Sequence, residues 1–355
     1  MGWFERRALV ITSSITKQNR RSAAMSTDDP REQLETLYWW GVATFFRSPH
    51  NEDPAACDIG VLGIPHSSGN GSTERDQHLG PRAVRNVSAH NRRPHRNYGL
   101  HPFEAFRVHD LGDVALPEAM DNEACVDRIA AATRRIADTQ TRLVSIGGDH
   151  AITGAVLLGL AGPGSKLTND APVALIHFDA HVDSYSQIPH WLGAKRSAAH
   201  WAAYLVEAGC IDPHRSTQIG MRGQPRTETW LDTSRQLGYD VVTMQECRQR
   251  GLEQVIATAR ERAGEGPVYI TFDLDCLDPS IAPAVSNLEI GEGGFSIDEA
   301  NQLLRGLRGL DIVGADVVCL MPTKDLPNNQ TAMVAGHVAF EQVSLIADRL
   351  SATNR

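Results

Sequence analysis

The sequence has no apolar run approaching the roughly 18 residues that a membrane-spanning helix needs, which excludes an integral membrane protein. It also has no basic excess: lysine and arginine number 34 against 43 acids, for a net charge of −9, and coating nucleic acid calls for a basic face. Glycine (30) and proline (18) stay at ordinary levels, which argues against a disordered or collagen-like chain. The six cysteines, Cys57, Cys125, Cys210, Cys247, Cys276 and Cys319, are scattered and form no C-x-x-C pair. A disulfide scaffold and a thiolate zinc site are therefore not expected; reduced, buried thiols in a cytoplasmic protein are. No G-x-G-x-x-G fingerprint follows the first apolar segment, since Gly69-Asn70-Gly71-Ser72-Thr73 does not fit that spacing.

What remains is ample apolar content, 41% of 355 residues, for one large α/β domain. Residues 1–25 read as a disordered basic extension. Arg6, Arg7, Lys17, Arg20 and Arg21 face only Glu5, and Ala8–Ile11 is too short for a signal-peptide core. Met25 opens a more regular beginning. Residues 26–56 read as a helical and aromatic segment packing on the core, with helix-capping chemistry at Ser26–Pro30 ahead of Gln33–Trp40. Its aromatics, Trp39, Trp40, Phe45 and Phe46, have two available places: over a pocket, or against the sheet or a neighbouring subunit. Residues 57–355 read as a single α/β domain.

In that domain short apolar segments alternate with periodic ones. Strands are expected at Asp58–Ile64, Leu143–Ile146, Val173–Phe178, Thr217–Ile219, Val268–Phe272 and Ile312–Val318. Helices are expected at Glu123–Asp138, Ser197–Ala208, Leu252–Ala263, Ile297–Leu307 and Thr331–Leu350, the last packing on the core or on a neighbour. Unbroken β-branched strands alternating with helices imply a three-layer α/β/α fold around a mostly parallel central sheet. Ligands of such sheets bind outside the carboxyl ends of the strands. The polar clusters fall there: Gly147-Gly148-Asp149-His150, Asp179-Ala180-His181-Val182-Asp183 and Asp273-Leu274-Asp275.

In an extended D-x-H-x-D segment, alternation puts Asp179, His181 and Asp183 on one face, and Asp273 and Asp275 share a face likewise. With His150 these make four carboxylates and two imidazoles able to converge on one rim. Four carboxylates in one cleft repel, and two divalent cations would balance them; the oxygen and nitrogen donors suit Mn²⁺, Ni²⁺, Co²⁺ or Fe²⁺.

Gly147–Thr153 (GGDHAIT), His177–Asp183 (HFDAHVD) and Thr271–Pro279 (TFDLDCLDP) resemble the ureohydrolases, the family of arginase, agmatinase and guanidinobutyrase. His78–Asn86 (HLGPRAVRN) resembles an early segment of the same family, and the likeness runs from about Ile59 to Phe340. The resemblance implies an arginase-like fold and two divalent ions per subunit. It places His150, Asp179, Asp183 and Asp273 around one ion and His181, Asp179, Asp273 and Asp275 around the other. It further implies hydrolysis of a guanidino C–N bond by a metal-bridging hydroxide, with Asp275 passing a proton to the departing amine.

Departures from the family pattern bear on substrate. A family His-Gly pair that shuttles protons is replaced by Ser197-Ala198-Ala199-His200-Trp201, making His200 the candidate shuttle ahead of His190. The strand end that carries a guanidinium-binding glutamate in the family reads Asp316-Val317-Val318-Cys319-Leu320-Met321-Pro322, and a thiol cannot pair with a cation unless ionised. Glu289, on the rebuilt loop Ala282–Glu289, is the expected replacement, with Asn287, Cys319 and Thr73 lining the pocket. These stretches, together with Leu37–Arg47, resemble the guanidine hydrolases, a nickel-using branch beside the metformin and dimethylguanidine hydrolases. A small guanidine is the substrate that resemblance implies, with agmatinase, guanidinobutyrase or a poorly active partner chain as alternatives. Ni²⁺ or else Mn²⁺, a homo- or hetero-oligomer (trimer or hexamer) and accessory proteins that deliver nickel complete what it implies; neither nucleic acid nor membrane is an expected partner.

Overall fold

All six expected strands form, and two more join them at the sheet edges. In a computed structural model, which describes residues 40–71, 74–185, 190, 193–223 and 227–353, the strands are β1 (Ile59–Ile64), β2 (Val108–Asp113), β3 (Arg142–Gly147), β4 (Ala174–Phe178), β5 (Thr217–Met221), β6 (Asp240–Thr243), β7 (Pro267–Asp273) and β8 (Asp311–Val318). They make one sheet in the order β2-β1-β3-β8-β7-β4-β5-β6, and every pairing is parallel. The basic extension 1–25, the helix expected ahead of Trp40 and Thr73 lie outside the described residues.

The two additional strands have physical reasons for escaping a pattern search. β2 reads VHDLGD, half polar, and β6 is only four residues long. Each pairs on one side only, so neither has to be apolar on both faces. The helix Ala151–Leu160 was also not expected. Nine of its ten residues are buried, so it lacks the polar stripe that marks an amphipathic helix. The helix expected from Ser197 begins at Trp201, because the Ser197 hydroxyl ties a turn through Ala199 N–H and the His200 ring.

Side chains alternate between two buried layers. Val268, Ile270 and Phe272 of β7 enter one, with Ala174, Ile176 and Phe178 of β4, while Tyr269 and Leu175 enter the other. Phe45 and Phe46 are fully buried in the first layer near the β2 edge, where Phe46 meets Phe103 at 5.1 Å and the Arg85 guanidinium lies 4.0 Å from the Phe45 ring centre. Among the described residues no helix is long and apolar enough to cross a membrane, and all six cysteines are buried and free.

The carboxy-terminal helix runs from Gln330 to Thr353 and packs on this core through Val338, Phe340, Val343 and Ile346. It also buries Glu341, whose carboxylate lies 3.0 Å from His95 Nε2 and 2.6 Å from Arg305 Nη2. Burial alone would raise the Glu341 pKa. The hydrogen bonds from His95 and Arg305 outweigh it and bring the value from an ordinary 4.5 down to about 2. The unfolded chain therefore takes up this proton first. The stability is complete above the ordinary value and is lost as pH falls from about 4.5 towards 2. Glu341→Gln is expected to lower the unfolding free energy by about 3 kcal/mol near neutral pH. In urea titrations the gap from wild type should shrink steadily below the ordinary glutamate range; a gap independent of pH would show that the charge is not what stabilises.

Candidate metal centre

The four middle strands, β3, β8, β7 and β4, end level with one another. Ile146 pairs with Val317, Val317 with Phe272, and Phe272 with Phe178. The residues that follow each end are thus forced to one rim: His150 after β3, Cys319 after β8, Asp273 and Asp275 at β7, and Asp179, His181 and Asp183 after β4. The turn after β3 depends on Gly148, whose φ is +24°, and where a Cβ would sit 2.7 Å from the carbonyl oxygens of Ile64 and His66. Gly223 makes room on the other side, since a Cβ there would come within 2.5 Å of the His181 ring.

All six expected cluster residues meet. His150 Nδ1 lies 2.9 Å from Asp179 Oδ2, 2.9 Å from Asp183 Oδ2 and 3.2 Å from Asp273 Oδ2. His181 Nδ1 lies 3.3 Å from Asp179 Oδ1 and 3.1 Å from Asp275 Oδ2. Asp179 is central to both groups and is fully buried. Burial opposes its charge, but the adjoining rings of His150, His177 and His181 hold it well below the usual carboxylate range. Burial and the neighbouring Asp273 push Asp275 the other way, well above that range.

The cluster fits divalent cations on its own geometry. His150 Nδ1 is buried with three carboxylate oxygens around it, yet none is aligned to take a hydrogen bond from it. Candidate ligand atoms gather within 4.8 Å of one another in groups that include His150-Asp179-Asp183 and Asp179-His181-Asp275. Several carboxylate oxygens converging with imidazole nitrogens on one buried spot are a donor set that a divalent cation satisfies.

Other residues hold these groups in place and were not among the expected site residues. Gln218 donates from Nε2 to His177 Nδ1 at 3.0 Å, so His177 must donate from Nε2 to Asp179 Oδ2, 2.8 Å away. His177 is on β4 two residues before Asp179, which follows the strand end, so the H-x-D spacing is the signal that could have found it. The Trp201 indole N–H donates to Asp183 Oδ2 at 2.9 Å, and its ring packs 4.9 Å from both His150 and His177. Asp183 and Cys319 adopt left-handed backbone conformations, at φ +48° and +71°, that residues other than glycine seldom occupy. Asp149 accepts from His66 Nδ1, Gly69 N–H, Asn70 N–H and Ala151 N–H, and so clamps the loop after β1 beside His150. Burial works against a charge on His66, but Asp149 outweighs it and raises that pKa to about 10.

The expected substrate-side residues are more dispersed. Glu289 Oε1 lies 3.0 Å from His181 Nε2, at the more open side of the cluster: His181 is 20% exposed and Glu289 13%, against 1–4% for Asp179, Asp273 and Asp275. Its loop is tied to the β8 end by Met321 N–H donating to the Ala284 carbonyl at 2.8 Å. Cys319 is buried with its thiol beside Asp273, and its nearness to that carboxylate adds to burial in pushing the thiol pKa well up. Asn287 is exposed, and Thr73 lies outside the described residues. His200 is half-buried, its Nδ1 2.8 Å from Ser197 Oγ, and His190 Nε2 lies 2.8 Å from the Asn70 carbonyl. Stripping divalent ions with a chelator is expected to lower the melting temperature, with recovery on adding Mn²⁺ or Ni²⁺ but no recovery in Asp179→Ala. Equal melting with and without chelator would argue against a resident ion.

A sequence model of the arginase family matches residues 57–344. Guanidinopropionase from Pseudomonas aeruginosa is 36% identical over 330 residues, which cover 91% of this chain and 98% of its own length. Guanidinobutyrase from the same species is 34% identical over 309 residues, covering 86% and 92%. The crystal structure of a hypothetical agmatinase from Burkholderia thailandensis superposes with a TM-score of 0.76 at 30% identity, covering 89% of this chain and 93% of that one. A family match across most of the chain, joined to a buried His/Asp cluster at the strand ends, leaves one conclusion: this chain belongs to the arginase family and is a metal-dependent amidinohydrolase.

Proposed function

We propose that the substrate is a small guanidine compound (guanidine, N,N-dimethylguanidine or the biguanide metformin), cleaved to ammonia or an amine plus urea or a urea derivative. The observation that carries this reading is the placement of Glu289 against His181 on the open side of the cluster, with a thiol, Cys319, flanking Asp273. A guanidinium needs an anion to orient it, and a carboxylate matches its planar fork. Glu289 is that carboxylate in this reading. Leu288 and Ile290, exposed on either side of it, and the buried Ala284 and Cys319 suit alkyl substituents better than the carboxylate of a guanidino acid.

In the same reading His150, Asp179, Asp183 and Asp273 would hold one divalent ion and His181, Asp179, Asp273 and Asp275 the other. Such a pair, when bound, supplies a water that is deprotonated near neutral pH beside the substrate carbon. The protein's own groups do the rest. Glu289 orients the guanidinium; Asp275, whose Oδ1 accepts from Ala180 N–H, moves a proton to the departing amine through Oδ2. His200, in this reading, passes to solvent the separate proton that the water gives up. Ni²⁺ is the assigned ion, by likeness to the nickel-using branch, with Mn²⁺ as the alternative. We further assign a cytoplasmic, oligomeric enzyme, served by nickel-delivery proteins if nickel is the native ion.

A second reading, an ω-guanidino acid or agmatine as substrate, is favoured by what the similar proteins are called: guanidinopropionase and guanidinobutyrase. Product release from guanidine, N,N-dimethylguanidine, metformin, agmatine, 3-guanidinopropionate, 4-guanidinobutyrate and arginine, with Ni²⁺ or Mn²⁺, separates the two. Turnover confined to the first three is the expected result, and turnover of a guanidino acid or agmatine would replace the first reading with the second. Two bound ions without any turnover would instead mark a partner subunit. Glu289→Gln keeps an acceptor for His181 but loses the charge. It should raise KM for the guanidine by about 10- to 100-fold with metal content unchanged, and an unaltered KM would remove Glu289 from the binding site.

A further inference from the structure

Behind His150, away from the open side, a column of polar side chains runs through the otherwise apolar second layer. Tyr269, Thr271 and Asp273 alternate onto one face of β7, and Thr271 pairs in register with Asp316 of β8. Asp316 is fully buried and receives three hydroxyl groups: Thr271 Oγ1 at 2.6 Å on Oδ1, and Thr153 Oγ1 and Tyr269 OH, each at 2.8 Å, on Oδ2. An acceptor-only carboxylate is the species that satisfies all three donors.

The directions of these bonds then follow one another. Thr271 gives its only proton to Asp316 and so presents a lone pair to His150 Nε2, 2.9 Å away. Thr153, 3.2 Å from Thr271 Oγ1, has likewise given its proton to Asp316 and cannot compete as a donor. His150 must therefore carry hydrogen on Nε2, and the neutral ring then turns a bare Nδ1 towards Asp179, Asp183 and Asp273. That is the nitrogen for which no aligned hydrogen-bond partner exists among the described residues.

We infer that Asp316 and Thr271 are positioning residues: through this relay they fix the tautomer and ring orientation of His150, so that its Nδ1 can bind the cation assigned above. The inference rests on the reading of the cluster as a dinuclear centre. It adds that the affinity of one of the two sites is set from β8, by a carboxylate that touches neither ion nor substrate. Outer partners of metal-binding histidines commonly govern affinity by 10- to 100-fold.

The test is titration of metal-free, full-length protein with Mn²⁺, alongside Thr271→Val, Thr271→Ser and Asp316→Asn. Thr271→Val is nearly isosteric and removes only the hydroxyl, so it remains informative if the buried Asp316→Asn fails to fold. Wild type should bind two ions. Thr271→Val should weaken one site about 10- to 100-fold and leave the other alone, and Thr271→Ser should restore it. In ¹⁵N-histidine-labelled, Zn²⁺-loaded protein, His150 should show hydrogen on Nε2 in wild type and in Thr271→Ser. Two wild-type-like sites in Thr271→Val would overturn the relay while leaving the dinuclear reading intact. A wild type that binds no divalent ion would overturn both.

Discussion

Mutual repulsion among Asp179, Asp183, Asp273 and Asp275 is the constraint to which the rest of the structure answers. Four carboxylates within hydrogen-bonding reach of two histidines, nearly all of them buried, are costly unless cations balance them. The parallel sheet is what makes this concentration of charge achievable. Its four middle strands end level, so each need contribute only one to three residues to bring all of them to one rim. Hydrophobic burial on both faces of the sheet holds that rim rigid.

Around the cluster lies a shell of groups whose hydrogen bonds have only one consistent direction. Gln218 sets His177, His177 sets Asp179, Trp201 holds Asp183, and Asp149 holds the loop that follows β1. None of these contacts adds charge to the open side, but each removes a rotamer or tautomer that would misdirect a carboxylate or an imidazole. On the open side the order is looser. The loop bearing Glu289 is fastened by a few bonds, Met321 N–H to the Ala284 carbonyl and Asn70 Nδ2 to Ser286 Oγ at 2.9 Å among them. Families that share a hydrolytic centre and differ in substrate have most freedom to vary in such a loop, because changes there leave the cluster undisturbed.

Much of the fold was legible because the central strands are buried on both faces and must be continuously apolar. β1, β3, β4, β5, β7 and β8 announce themselves that way, whereas the edge strands β2 and β6 and the largely buried helix Ala151–Leu160 carry no such periodic mark. The cluster was legible for a related reason. Each polar motif begins where an apolar strand stops, so spacing located the six residues; they do not meet by strand alternation, because β4 ends at Phe178, Asp183 sits at φ +48° and Asp275 lies in the 3-10 turn Leu274–Cys276.

The layered parallel architecture and the six clustered residues were thus readable from local period and motif spacing, and the family from the motifs that resemble it. Only the tertiary structure decided what stands behind and beside them. Asp316 is 45 residues from Thr271 and 163 from Thr153, and Glu289 is 108 from His181. Contacts at such separations depend on strand order and register, and on the path of a loop that no periodicity encodes. A hydrogen bond's direction is a property of the whole network of neighbours, which exists only once the chain has folded.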